Sequence, residues 1–175
     1  MSASEEPPFR IVDADAARAA AEALFVVVSE RLARMLPGSA QVLHVGATSV
    51  PGCLTKGDFD IVVRVAPADF AAADQILACQ FARNEGSLRT DTFSGFEDAA
   101  CEPHLGVQLA AIGGPSDVFH RFAEALRRSP ALLEAYNALK REYDGAEMQS
   151  YRNAKDVFIA SALSLPVAQA SRRGR

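Results

Sequence analysis

The segment His44–Val65, HVGATSVPGCLTKGDFDIVVRV, joins two apolar strand patterns through a loop punctuated by Gly, Ser and Pro, and it closes on two carboxylates. The run Val42, Leu43, His44, Val45 stops at Gly46, where a strand leaves the core; glycine there permits positive φ and close approach of a ligand to the backbone. Ala47, Thr48, Ser49 and Val50 follow before Pro51-Gly52 turn the chain back. Backbone N–H groups and two hydroxyls then surround a space suited to a phosphate. The second strand begins near Asp58, and its alternation sets Phe59, Ile61, Val63 and Val65 on one face against Asp58, Asp60, Val62 and Arg64 on the other.

Two residues along a strand span roughly 7 Å, so Asp58 and Asp60 can hold one cation or bridge two. At an effective dielectric of ~20 their repulsion is roughly 2 kcal/mol. On that ground Asp58→Asn is expected to leave the ligand-free protein at least as stable. Magnesium suits such a pair, because it takes one or two carboxylates together with waters and substrate phosphates, whereas zinc asks for Cys or His and calcium for a richer oxygen set.

The order strand, glycine, hydroxyl-bearing residue and D-x-D strand resembles the signature of the polymerase-β-type nucleotidyltransferase superfamily. More narrowly, H-V-G-A-T-S-V-P-G-x-x-x-K-G-D-x-D resembles the GrpB-like family within it, through His44, Gly46, Thr48, Ser49, Val50, Pro51, Gly52 and Lys56. Ala47 stands where a serine is usual, and Asp58 adds an acid to the later aspartate, Asp60, that many members carry alone. The likeness runs from about Val42 to Leu163. It implies an α+β (mixed α/β) fold, a small mixed sheet flanked by helices, with a helical C-terminal third. It also implies an enzyme that binds a nucleoside triphosphate with magnesium, two ions at most, and transfers a nucleotidyl group to a small acceptor.

At 175 residues and 49% apolar types the chain is expected to form one domain, with residues 1–9 and 171–175 loose. The net charge of −4 makes no case for a nucleic-acid-gripping surface. Cys53, Cys79 and Cys101 have no metal-like spacing and read as ordinary thiols of a reducing compartment. No secretory signal or transmembrane run is present, so a cytoplasmic location is expected. Oligomeric state is open.

A helix is expected from Asp13 to Leu36, capped by Asp13 or Asp15 and stopped at Pro37-Gly38, with Leu24, Val27, Val28, Leu32 and Met35 facing the sheet. Pro67 to Phe81 reads as a second helix burying Phe70, Ala73, Ile76 and Leu77, and Arg83 to Gly95 as strand and turn. In Glu102–Ile112, alternation sets Glu102, His104, Gly106 and Gln108 opposite Pro103, Leu105, Val107 and Leu109. The family resemblance leads to H-L-H-V here; this chain has H-L-G-V, with Gly106 replacing the second histidine. Glu102 is then the candidate third metal ligand, or else a solvated strand end. Helices follow over Pro115–Arg128, from Ser129-Pro130 onward with Leu132, Leu133, Tyr136 and Leu139 inward, and from a Ser150 cap.

The candidate roles are these. Asp58 and Asp60 hold metal and carry catalysis. Gly46, Thr48 and Ser49 meet phosphate, with Ser49 alternatively a helix cap. Lys56 either neutralises phosphate or pairs with Asp58. Lys155, in a Y-x-x-x-K-x-x-F-I pattern that resembles the family's C-terminal text, contacts phosphate or covers apolar surface with its stem. His44, His104 and Tyr151 are possible cleft-lining residues. Two other readings stay open: a non-catalytic nucleotide or phosphometabolite binding module, and an interaction protein working through the helical third.

Overall fold

The computed structural model describes residues 6–165, so the basic tail Ser171–Arg175 lies outside the described residues. Its elements run α1 (Ala14–Ala33), β1 (Gln41–Val45), β2 (Phe59–Val65), α2 (Phe70–Gln80), β3 (Ala82–Arg83), β4 (Phe93–Asp98), β5 (Leu105–Ala111), α3 (Phe119–Arg128), α4 (Pro130–Glu142) and α5 (Met148–Ala162). The strands form one mixed sheet in the order β1-β2-β5-β4-β3, with β2 and β5 parallel and the other pairs antiparallel. This is the mixed α/β architecture expected, with a helical C-terminal third.

The period of two in β2 sorts its side chains between two cores. Phe59, Ile61, Val63 and Val65 join Leu105, Val107 and Leu109 of β5 under Val28 and Leu32 of α1 and Phe70 and Leu77 of α2. Val62 turns to the opposite face with Val45, Phe93 and Ala110, where α3 covers the sheet through Phe119. A separate core of Val50, Cys53, Phe122, Leu126, Tyr136 and Ile159 ties the C-terminal helices to the loop that follows β1.

Side-chain capping sets the starts of α1 and α4. The Asp13 carboxylate accepts from the Asp15 and Ala16 amides, and the Ser129 hydroxyl accepts from Leu132 N–H ahead of Pro130. Several expectations need correction. Val27 is 63% exposed, because α1 rests on a narrower stripe centred on Ala21, Val28 and Leu32. Residues 115–118 are turn, so α3 starts at Phe119; α5 starts at Met148 after Glu147, and Ser150 lies inside its first turn. Of the first nine residues, 6–9 are described and held in place. Phe9 is 1% exposed, stacks on Tyr151 at 3.8 Å, and exchanges backbone hydrogen bonds with Ala146 (2.9 Å) and Gly145 (2.7 Å).

On the α2 side, Asp74 receives both Arg83 nitrogens, at 3.0 and 2.7 Å, and Arg89 at 3.2 Å. The Arg83 hydrogen bonds hold its carboxyl down to about 2. An acid with a depressed folded pKa stabilises the fold above its unfolded pKa of about 4 and loses that contribution as pH falls toward 2. Asp74→Asn is therefore expected to cost about 1–2 kcal/mol at pH 7 and to flatten the acid limb of a urea-unfolding series taken from pH 5 to pH 2.

Candidate functional site

The loop after β1 begins with Gly46 at φ 73° and closes a single 3-10 turn over Ala47–Ser49. A side chain at 46 would put its Cβ 2.7 Å from Asp60 Oδ2, so glycine is required both by the backbone and by the carboxylate beside it. The pairing of Val45 with Asp60 across β1 and β2 creates that closeness. On the other side β5 sets Gly106 opposite Asp60, and a Cβ there would lie 2.5 Å from Asp60 Oδ1. The Asp60 carboxylate thus occupies space left by two glycines, one just after β1 and one on β5. Gln108 donates to it at 3.4 Å.

That enclosure has an electrostatic consequence. Desolvation, reinforced by the Asp58 charge, pushes the Asp60 carboxyl up to about 6, against the pull of Lys155, Lys56 and His104. Asp58 itself forms an ion pair with Lys56. Two acids and two lysines therefore meet at this point. Glu102 stands exposed in the turn before β5, outside the groups that bear on Asp60. Among the described residues no set of three or more His, Cys, Asp or Glu side chains gathers into a metal-holding group.

The other named residues divide between site and scaffold. Thr48 is buried and donates its hydroxyl to Asp58 O at 3.1 Å, with His44 Nε2 also 3.1 Å from that hydroxyl; it anchors the turn to the start of β2. Ser49 gives its hydroxyl to Gly46 O at 2.8 Å, closing the turn on itself. His44 is turned to the α1 face, stacked on Phe25 at 5.6 Å and edge-on to Phe59 at 5.2 Å, and burial holds its pKa down to about 4. It does not line the cleft, since alternation along β1 sends Val45 there instead. Tyr151 does not border the cavity itself: its ring packs in a small core with Phe9 and Met148, while its hydroxyl hydrogen-bonds Tyr136 of the cavity wall within reach of the Asp58 and Asp60 charges. His104 faces Glu97 at 3.4 Å. Lys155 reaches the cleft from α5.

Residues that carried no role in the sequence hold the loop in place. Asn137 of α4 accepts from Leu54 N at 2.8 Å and donates to Gly52 O at 2.9 Å. Lys140, one turn on, donates to Leu54 O and to Cys53 Sγ at 3.4 Å while fully buried. Arg127 of α3 donates to Ser49 O at 2.9 Å and brings a cation beside the turn. The only sequence signal for Asn137 and Lys140 is polar residues at i and i+3 in an otherwise amphipathic helix, which is also the signature of a solvated face.

Beside Asp60 lies a partly open cavity of about 190 Å³, bordered by Gly46, Gln108 and Lys155 and flanked by side chains of α3, α4 and α5. None of the described helices is long and apolar enough to cross a membrane.

Comparison with known proteins gives three relevant likenesses. A UPF0157 protein of Vibrio cholerae is 32% identical over 151 residues, 86% of this chain and 79% of its own length. The conserved protein GrpB from Enterococcus faecalis superposes with a TM-score of 0.59 at 18% identity, covering 87% of this chain and 91% of that one. The Cid1 poly(U) polymerase bound to MgGTP aligns at a TM-score of 0.45 and 14% identity, over 74% of this chain and 39% of its own. The family description GrpB protein matches residues 10–164 of the sequence, and with that extent the chain belongs to the GrpB family.

Proposed function

We propose that the protein is a nucleotidyltransferase that takes a nucleoside triphosphate with magnesium and passes the nucleotidyl group to a small hydroxylated acceptor. The observation that carries this reading is a desolvated carboxylate, Asp60, crowded by Asp58 and set directly beside a glycine-started turn and two lysines. A desolvated carboxylate beside a second acid is the kind of arrangement found at sites that take up a cation.

The donor set fits magnesium only in part. Asp58 and Asp60 give two carboxylates on one strand, and at the position facing Asp60 on β5 stands Gly106, which can supply no ligand. Such a site holds magnesium with help from substrate phosphates and water, so ion and nucleotide bind together. When bound, the ion neutralises charge on the phosphates. Asp60 and Asp58 orient it, Lys56 and Lys155 offset negative charge, and the turn at Gly46–Ser49 positions the phosphate chain. In the step itself the acceptor hydroxyl oxygen bonds to the α-phosphorus, the bond from that phosphorus to the bridging oxygen breaks, pyrophosphate leaves, and the hydroxyl proton passes to water. Positioning and charge neutralisation supply the catalysis, with no protein nucleophile.

The test is thermal unfolding with each nucleoside triphosphate, with and without magnesium. Nucleotide at ~100 times its dissociation constant adds roughly 2.7 kcal/mol, a shift of about 5–10 °C for a domain of this size. The shift is expected only when magnesium and nucleotide are both present; magnesium alone, or no response to any nucleotide, argues against the reading. A second reading, a binding module without catalysis, is favoured by Gly106 in place of a third ligand. It predicts the same shift with no pyrophosphate released in the presence of any acceptor.

A further inference from the structure

The cavity beside Asp60 has two kinds of wall. Phe93 and Phe119 are stacked at 5.9 Å with planes 8° apart, and Phe122 of α3 extends the aromatic lining. Gln108 of β5 and Asn84 and Ser87 of the β3–β4 connection add uncharged hydrogen-bonding groups. Asp60 and Lys155 border the same space with opposite charges, which matches a neutral ligand better than an ion.

Size narrows the ligand further. An apolar protein cavity of about 150 Å³ is enough for benzene, so about 190 Å³ holds one six-membered ring with a small substituent. A purine carrying its ribose exceeds it. The pocket is partly open, so this volume measures the part of a ligand held inside: one ring, without room there for a base and ribose together, beside the Asp60 carboxylate. Aromatic walls favour a flat ring through stacked or edge-to-face contact, and neutral amide and hydroxyl groups suit a hydroxyl substituent.

We propose that this chamber is the acceptor subsite, and that the acceptor is a neutral molecule with a single aromatic ring bearing a hydroxyl. The assignment rests on the nucleotidyl-transfer reading above. Its chemistry is the step already written, with the ring's hydroxyl oxygen as the group that bonds to the α-phosphorus.

The experiment is isothermal titration of the wild-type chain, free of nucleotide and magnesium, with phenol, 4-hydroxybenzyl alcohol, toluene and 2-naphthol. Both hydroxylated single-ring compounds are expected to bind. Toluene, which leaves the polar groups unpaired, is expected to bind at least about tenfold more weakly, and 2-naphthol not at all. Ala123→Leu, which adds volume to the chamber wall, is expected to weaken phenol at least about tenfold; should it fail to fold, the ring-size series on the wild type decides alone. Failure of phenol to bind, or equal binding of all four, overturns the proposal.

A repeat with magnesium and nucleoside triphosphate separates the two readings. Phenol binding undisturbed by a nucleotide that itself shifts unfolding supports the acceptor assignment. Competitive displacement of phenol overturns it, because the chamber then takes part of the nucleotide. Phenol binding with no response to any nucleotide leaves a ring-binding chamber, and the acceptor role falls together with nucleotidyl transfer.

Discussion

Asp60→Asn is expected to raise the unfolding temperature of the ligand-free protein while abolishing its magnesium-dependent response to nucleoside triphosphate. The two effects have one cause, a carboxylate enclosed between Gly46 and Gly106 and facing Asp58. An acid whose folded pKa is raised binds more protons folded than unfolded between its two pKa values, so stability falls as pH rises through that interval. With Asp60 pushed from 3.8 to about 6, the interval runs from about pH 4 to 6, and at pH 7 the ionised side chain costs roughly 3 kcal/mol. Asparagine removes the charge but keeps a buried amide, so a net gain of about 1–3 kcal/mol is expected, or several degrees.

The wild type should also lose stability between pH 4 and 6 by an amount absent from Asp60→Asn, after allowance for Asp74 at the acid end of the range. Transfer activity, measured as pyrophosphate release, is expected to fall at least about a hundredfold. A variant less stable than wild type at pH 7, with nucleotide response intact, would make Asp60 a structural acid. The sequence places this relief at Asp58; the structure moves it one turn of the pleat along. Asp58 is paired with Lys56, and both side chains are about a third exposed or less. Asp58→Asn is expected to stay within about 1 kcal/mol of wild type.

Lys140→Ala is expected to destabilise the protein by about 3–5 kcal/mol, lowering the unfolding temperature by about 10 °C. The side chain is 1% exposed, and its amine lies 4.2 Å from the Tyr136 ring centroid while donating to the Leu54 carbonyl and the Cys53 sulfur. Truncation leaves both a cavity and an unpaired carbonyl. Lys140→Met keeps most of the volume and should cost only the hydrogen bonds, about 1–3 kcal/mol. In either variant the loop after Gly52 loses one of its two ties to α4, so nucleotide response should weaken along with stability.

The pH signature of this lysine is opposite to that of Asp60. Burial pulls the Lys140 amine down to about 8, against the opposing influence of Cys53. From pH 8 upward the unfolded chain holds the proton that the folded chain gives up, so stability rises with pH. Burial also raises the Cys53 and Cys101 thiols, so ionisation of the unfolded thiols, under way from about pH 8, opposes the lysine's gain. The lysine is read by difference: over pH 8 to 9 the thiols act in both proteins, and urea unfolding is expected to show the wild type gaining roughly 1 kcal/mol relative to Lys140→Met.

Features written in local periodicity or local capping were set by the sequence alone. Strict alternation from Phe59 to Val65, the Asp13 and Ser129 caps, the Pro67 turn that leads into α2 at Phe70 and the glycine after Val45 each depend on residues within a few positions of one another. They led to the mixed sheet, to the helical third and to the position of the Asp60 turn. Tertiary packing decided which of these residues meet. Asp60 acquires its environment from Gly46, through the antiparallel β1–β2 pairing, and from Gly106, which a crossover through α2, β3 and β4 carries back to it. A histidine in β1 faces α1 while its neighbour faces the cleft, and Tyr151 is claimed by Phe9 from the far end of the chain. Lys140 has the sequence context of a solvated helix lysine, and the ring-sized chamber is made by strands and helices that share no local pattern. Burial and cavity shape are properties of contacts between distant segments, and a window of sequence records the residues without recording what will be packed against them.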